Sequence, residues 1–361
     1  MRDEALSALR KKLADCDRSL VEVLNERADL SIRIGRVKTK SKLAVYDPVQ
    51  ERMVLDRLQQ ASRGPLSDGQ LAAIFREVLS VSRSLQGPVR VACFGPEASF
   101  THLAARSHFG GEADFASLPS IVHVFDEVEK GKADWGVVPV ENSLEGTVGV
   151  TLDRLLGTTL SIRAELFLRI SHCLLAMRKN RNAIKTVYSH PQAFSQCRSW
   201  LSAHMPRARL IEADSTSAAA MRASEDATSA AVGSRLAAEI YGLKTLAEGI
   251  EDAPSNETRF LVIGQGRNAP TGRDKTSILF SVSDVPGSLY RSLRPFARRG
   301  VNLMKIESRP VRGRLWEYRF FADVEGHCGD RKVRRCLEEL KGCTTFLKVA
   351  GSYPQGRRLE T

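Results

Sequence analysis

Apolar residues in the first forty positions recur at an alternating three-and-four spacing: Leu6, Leu9, Leu13, Cys16, Leu20, Val23, Leu30, Ile34 and Val37. A stripe of that period predicts one helix of about 37 residues, roughly 55 Å long. A rod of that length cannot bury its seam alone in so small a domain. Asp47-Pro48, with Gln50 three residues past the aspartate, reads as the start of a second helix. Ser67 and Gln70 repeat the capping pattern for a third, which Gly87-Pro88 ends. From Val89 the period changes. Residues 89–94, 135–140, 186–189 and 230–232 are short apolar runs, and helical stretches at 100–108 and 148–156 follow the first two. Short buried strands feeding helices predict an α/β layered domain. Residues 265–275 have the Gly-, Pro- and Arg-rich composition of a linker. Beyond it, strand-like 277–282, helical 288–299, strand-like 304–309 and 318–324, helical 331–340 and strand-like 345–350 predict a βαββαβ, ferredoxin-like order. The expected protein is multidomain: all-α at 1–87, α/β at 89–267 and α+β at 275–354.

A chain of 361 residues has room for two or three such domains. No apolar run approaches the roughly 18 residues of a membrane helix, so no membrane partner is expected. The charged start Met1-Arg2-Asp3-Glu4 argues against a secretory signal. The seven cysteines form no C-x-x-C pair, which favours reduced thiols in the cytoplasm over a disulfide frame or a zinc site. Histidines show no ligand spacing, so no metal is expected. The net charge of +12 divides as +4 over 1–87, −1 over 88–270 and +9 over 271–361. The basic ends raise nucleic acid as a partner, but aromatics are not interleaved with basic clusters as a single-strand-binding surface requires. An enzyme acting on small anions, with basic regulatory or assembly regions, fits better.

Arg27 falls where the heptad expects an apolar residue, and an unpaired buried guanidinium costs several kcal/mol. It is either a register-setting arginine or a functional one. Lys38 lies 11 residues on, a net rotation of roughly 20° and a rise of about 16 Å, so the two cations can lean toward one small anion. Arg10 is about 42 Å from Lys38 along the rod and could join that site only from a second, antiparallel chain. Leu9-Arg10, Glu26-Arg27, Gly35-Arg36-Val37-Lys38, Asp47 with Glu51-Arg52, and Ser82 with Gln86 resemble the all-helical chorismate mutases over about residues 4–86. The resemblance implies a dimer with shared sites. It makes Arg10 and Arg27 bidentate clamps on the two substrate carboxylates. Lys38 and Gln86 become donors to the ether oxygen, Asp47 and Glu51 hold the ring hydroxyl and the ether-side network, and Ser82 supports them. No cofactor is implied, since orientation and electrostatics carry a pericyclic rearrangement. Gln50 stands where the family often has arginine.

The middle segment carries Gly95-Pro96-Glu97-Ala98-Ser99-Phe100-Thr101, Val138-Pro139-Val140-Glu141-Asn142-Ser143, Ser189-His190-Pro191-Gln192, Ser215-Thr216 and Asn256-Glu257-Thr258-Arg259-Phe260. Each alone reads as a turn or an N-cap; where strands give way to helices they can also bind anions. No G-x-S-x-G elbow occurs. Together they resemble prephenate dehydratase across about 89–267, a family of two α/β lobes around a cleft. The resemblance assigns the acid to Thr258, with Asn142 and Gln192 aiding, and makes Arg259, Ser189, Ser215 and Thr216 anion grips. A free threonine is a poor acid, so its hydroxyl must be polarised by neighbours.

Pro286-Gly287-Ser288-Leu289-Tyr290 and Glu307-Ser308-Arg309-Pro310 resemble the phenylalanine-binding motifs of ACT regulatory domains. The usual alanine is replaced by Ser288. The implied effector site comprises Gly287, Ser288, Leu289, Glu307, Ser308, Arg309 and Pro310, closed across an ACT–ACT interface. The reading that unites these resemblances is a bifunctional chorismate mutase–prephenate dehydratase under phenylalanine control, a homodimer or higher oligomer with chorismate and prephenate as its substrates. The rivals are an arogenate-using dehydratase, which no single residue separates, and a non-catalytic amino-acid sensor. The set Arg10, Arg27, Lys38, Glu51 and Gln86 argues against the sensor.

Overall fold

The structure, a computed structural model, describes residues 2–41, 43–310 and 318–359. The first helix is α1 (Arg2–Lys40), followed by α2 (Pro48–Ala61) and α3 (Asp68–Gln86). The later starts are set by capping. The Asp47 carboxylate accepts from the backbone N–H of Val49 and Gln50, and Ser67 and Gln70 cap each other reciprocally. With Phe109–Asp114 these helices form one compact unit.

Within that unit α1 packs on α3 through a different stripe from the leucine seam. Arg27, Ser31, Ile32, Gly35 and Lys38 are half-buried or buried, and all lie in the C-terminal part of α1. Gly35 allows the approach: a Cβ there would stand 2.7 Å from Gln86 Cα. The seam itself stays exposed, from Leu9 (63%) through Leu20 (56%) and Leu30 (49%) to Val37 (62%), and residues 4–26 are exposed throughout. The chain therefore leaves half a rod without a partner of its own.

The second unit spans Arg90–His108 and Phe115–Thr361. Among the described residues it contains three sheets. The first is ordered Arg357–Leu359, Ser161–Arg169, Glu257–Gly264, Trp135–Asn142, Arg90–Phe94, Asp114–Leu118, with the short Gly146–Thr147 also paired to Trp135–Asn142. The second is ordered Lys244–Glu248, Cys173–Ala176, Ser229–Gly233, Thr186–Ser189, Arg209–Glu212. The third is antiparallel, in the order Leu303–Pro310, Tyr318–Glu325, Asp274–Ser281, Phe346–Pro354, with helices Ser288–Arg299 and Arg331–Cys343 between its strands in sequence. That is the βαββαβ order expected; residues 311–317 lie outside the described residues.

Alternation along the third sheet explains how it joins the first. Ile278 and Phe280 point into a core with Phe296, Leu337 and Leu340 of the two helices. Leu279, Phe321 and Tyr353 point the other way, into one core with Val124, Phe125, Leu155, Ile162 and Leu261. The strand Asp274–Ser281 of the third sheet is thus buried on both faces, and the first lobe lies on the sheet's back. Past the last strand of the third sheet, Arg357–Leu359 adds a parallel edge strand to the first sheet beside Ser161–Arg169. No helix among the described residues is long and apolar enough to cross a membrane.

Candidate functional site

In the helical unit, Arg27 Nη1 donates to the Ser82 hydroxyl and lies 3.4 Å from the Val78 carbonyl oxygen. Lys38 Nζ donates to the Val45 carbonyl at 2.5 Å. Both cations stand on the half-buried stripe of α1, and both feel the Glu51 carboxylate. Burial lowers the pKa of each, and nearby carboxylates oppose it: Glu51 for Arg27, Asp47 and Glu51 for Lys38. Burial likewise raises the Glu51 carboxyl above its ordinary range, against the pull of Arg83 and Lys38. Gln86, packed against Gly35 of α1, has a buried Oε1 with no hydrogen-bond partner. Asp47 serves as the α2 cap. Arg10 stands on the exposed half of α1 and is not brought to this group within one chain.

The second group lies in a cleft of about 870 Å³ between the first and second sheets, within the size range of small-molecule sites. Thr258 and Asn142 are register partners on adjacent antiparallel strands. Asn142 Nδ2 donates at 2.8 Å to both Thr258 Oγ1 and Asn256 Oδ1, while its Oδ1 accepts from the Leu144 and Glu145 backbone N–H groups. The Asn142 amide is therefore held at both ends. From the second lobe, Gln192 donates through Nε2 to the Glu145 carboxylate. Ser215 and Thr216 line the same cleft at the start of helix Thr216–Ala223, where Ser215 Oγ also caps Ala218 N at 2.9 Å.

Two expected anion grips are placed elsewhere. Ser189 is fully buried and donates to the Val232 carbonyl at 2.9 Å. Arg259 follows Thr258 on a strand, so its side chain leaves from the opposite face. There its guanidinium meets Asp323 at 2.6 Å and Glu165 at 2.8 Å. Neither residue lines the cleft.

Three family profiles match this chain in order: chorismate mutase type II at residues 9–87, prephenate dehydratase at 91–268 and the ACT domain at 276–342. A bifunctional chorismate mutase/prephenate dehydratase of Aquifex aeolicus is 44% identical over 356 residues, 98% of each chain. The chain belongs to the bifunctional chorismate mutase/prephenate dehydratase family. Among solved structures, the Arthrobacter aurescens prephenate dehydratase in complex with L-Phe is 35% identical with a TM-score of 0.68, covering 74% of this chain and 90% of that one. GqqA, described as a quorum quenching acylase, is 29% identical at the same TM-score, covering 74% of this chain and 98% of that one.

In this family member the ACT motifs lie apart within one chain. Gly287 adopts the left-handed conformation (φ 80°) at the start of helix Ser288–Arg299. It borders a depression of about 640 Å³ with Ser288, Leu289, Tyr318 and Phe320. The other motif sits on the edge strand Leu303–Pro310. Glu307 accepts from the Thr147 hydroxyl of the first lobe, and Arg309 and Pro310 border a separate depression with Leu152 and Asp153.

Sequence reasoning did not assign Arg83, Asn256, His172, Glu145 and Gln196. Arg83 is buried and pairs with Glu51 while donating to the Phe109 carbonyl. Its neighbour Ser82 was the only signal. Asn256 stands one residue before strand Glu257–Gly264, and its only signal was its place in the 256–260 motif. His172 Nε2 lies 2.9 Å from Gln196 Oε1, and a lone histidine gives no sequence signal.

Gly35 yields a prediction whose sign opposes helix propensity. Alanine is ordinarily about 1 kcal/mol better than glycine inside a helix. At Gly35 its Cβ would strike Gln86 backbone, 2.7 Å from Cα and 2.8 Å from the carbonyl oxygen. Gly35→Ala should therefore lower the mutase rate and the melting temperature of the helical unit, and leave dehydration of supplied prephenate unchanged. A raised melting temperature with full mutase activity would contradict this packing.

Proposed function

We propose that the two groups of residues are the two active sites of one chain that turns chorismate into prephenate and prephenate into phenylpyruvate. The observation that carries the reading is the Asn142–Thr258 hydrogen bond. A hydroxyl whose oxygen accepts a bond becomes a better donor of its own proton, so this contact supplies the polarisation a threonine acid needs. In the cleft, Thr258 would deliver that proton to the departing ring hydroxyl, which leaves as water. The ring carboxylate leaves as carbon dioxide, and the electron pair of its C–C bond completes the aromatic ring. Solvent returns the proton to Thr258. Gln192, Ser215, Thr216 and the unpartnered Asn256 Nδ2 are among the polar groups that line the cleft and could contact prephenate.

In the helical unit, Arg27 would clamp a carboxylate and Lys38 with Gln86 would donate to the ether oxygen as it gains charge, with Glu51, Asp47 and Ser82 fixing them. The site needs Arg10 from a second copy. The exposed seam from Leu6 to Val37 supports that copy, because it is the apolar stripe of a helical dimer left open on a single chain. Phenylalanine would bind at Gly287, Ser288 and Leu289, with Glu307, Ser308, Arg309 and Pro310 supplied across an ACT–ACT interface, since the two motifs border different depressions in one chain. Seven free cysteines agree with a cytoplasmic setting.

Subunit mixing tests the shared mutase site. Arg10→Ala and Lys38→Ala proteins, each inactive alone, should regain mutase activity on exchange, because a mixed dimer holds one site with both residues intact. Proven exchange without recovery would contradict the cross-chain site.

A further inference from the structure

Two register pairs on adjacent strands point in opposite directions. Thr258 with Asn142 faces the cleft; Arg259 with Glu141, one residue along each strand, faces the back. Behind that back face lies the ACT sheet. Arg259 Nη1 meets Asp323 Oδ2 at 2.6 Å, and Nη2 meets Tyr353 Oη at 3.1 Å and Glu165 Oε2 at 2.8 Å. Lys275 Nζ also meets Glu165, at 2.8 Å, and Lys305 Nζ meets Glu141 at 2.8 Å. Ser277 Oγ reaches Asp323 Oδ1 at 2.5 Å. All four ACT strands thus contribute a side chain to the network behind the strands that carry Thr258 and Asn142.

We infer that Arg259 is a positioning residue for dehydration: held from the ACT domain by Asp323 and Tyr353, it sets the stance of Thr258 and gives the regulatory domain its grip on the site. This rests on the reading of Thr258 as the proton donor. Arg259 and Lys275 balance Glu165 and Asp323, and all four are buried, so the network holds only when complete. Cores of this kind switch between arrangements rather than yield gradually. Directly after Arg259 the ladder slips, pairing Phe260 with Pro139 and leaving Val140 over. A bulge there loosens the sheet at the point where a pull on Arg259 would move Thr258. Hydrogen bonds weaken steeply with misalignment, so a small displacement would disarm the donor without emptying the cleft.

The test uses the full-length chain with Asp323→Asn, which keeps shape but removes the charge, and Tyr353→Phe, which removes one oxygen. Dehydration kcat should fall about tenfold or more, as positional errors far from the chemistry do. KM for prephenate and mutase kcat should stay within about twofold, the pattern of a lost transition-state contact. The phenylalanine concentration giving half inhibition should rise about tenfold, within the usual range of coupling, while calorimetric phenylalanine affinity persists. Wild-type dehydration kcat together with wild-type inhibition in either variant would overturn the inference. Equal losses of both activities would overturn it too, because that marks general destabilisation. The underlying reading fails separately, through a Thr258→Val protein that still dehydrates prephenate; the shift in phenylalanine inhibition still reports the ACT grip in that case.

Discussion

Lys38→Ala should abolish the conversion of chorismate to prephenate while dehydration of supplied prephenate continues at the wild-type rate. Lys38 sits half-buried beside Asp47 and Glu51, its ammonium already fixed by the Val45 carbonyl. The rearrangement needs no nucleophile, so nothing replaces a donor aimed at the oxygen that becomes negative. Loss of one such preorganised donor costs about 2.7–4 kcal/mol, about 10²–10³ in kcat. Burial lowers the Lys38 pKa, so the neutral amine forms at lower pH than for an ordinary lysine. The mutase rate should therefore decline as pH rises through that lowered pKa, before the usual lysine range. Initial rates on each substrate, measured separately, check both points. A mutant that rearranges chorismate at near wild-type rate would remove Lys38 from the site.

Thr258→Val should remove dehydration and spare the mutase. The substitution keeps the branched shape on strand Glu257–Gly264 and deletes the hydroxyl, leaving Asn142 Nδ2 with only Asn256 Oδ1 to donate to. General-acid catalysis is commonly worth about 10²–10⁴-fold, and that is the expected drop in dehydration kcat. Chorismate supplied to this mutant should accumulate as prephenate. Continued phenylpyruvate formation would exclude Thr258 as the acid.

How far the sequence disclosed these sites depended on the length of the periodic signal. The α1 stripe, the Asp47 and Ser67 caps and the ACT element order were all legible, because each follows from local spacing or capping chemistry. Arg27 and Lys38 fall on one stripe of α1, as the helical rotation requires. The packing of α1 on α3 was not legible: the leucine seam is conspicuous but stays exposed, while the intrachain contact uses Ser31 and Gly35, residues with no hydrophobic signal. Strand Glu257–Gly264 was missed for a related reason. It begins with Glu257 and Arg259 and is otherwise buried on both faces, so it shows no alternation. Without the strand, Thr258 and Arg259 read as one motif, acid and anion grip, serving one cleft. With it, period two sends them to opposite sides of the sheet. Ser189 misled in the same way, as a strand-end hydroxyl that turns inward to Val232.

The most direct test of the whole account is a time course on chorismate alone with the purified chain, following chorismate, prephenate and phenylpyruvate together, with and without phenylalanine. The account predicts transient prephenate, phenylpyruvate rising to match the chorismate consumed, and a slower second step when phenylalanine is present. Unconsumed chorismate, or prephenate as a stable end product, would contradict it.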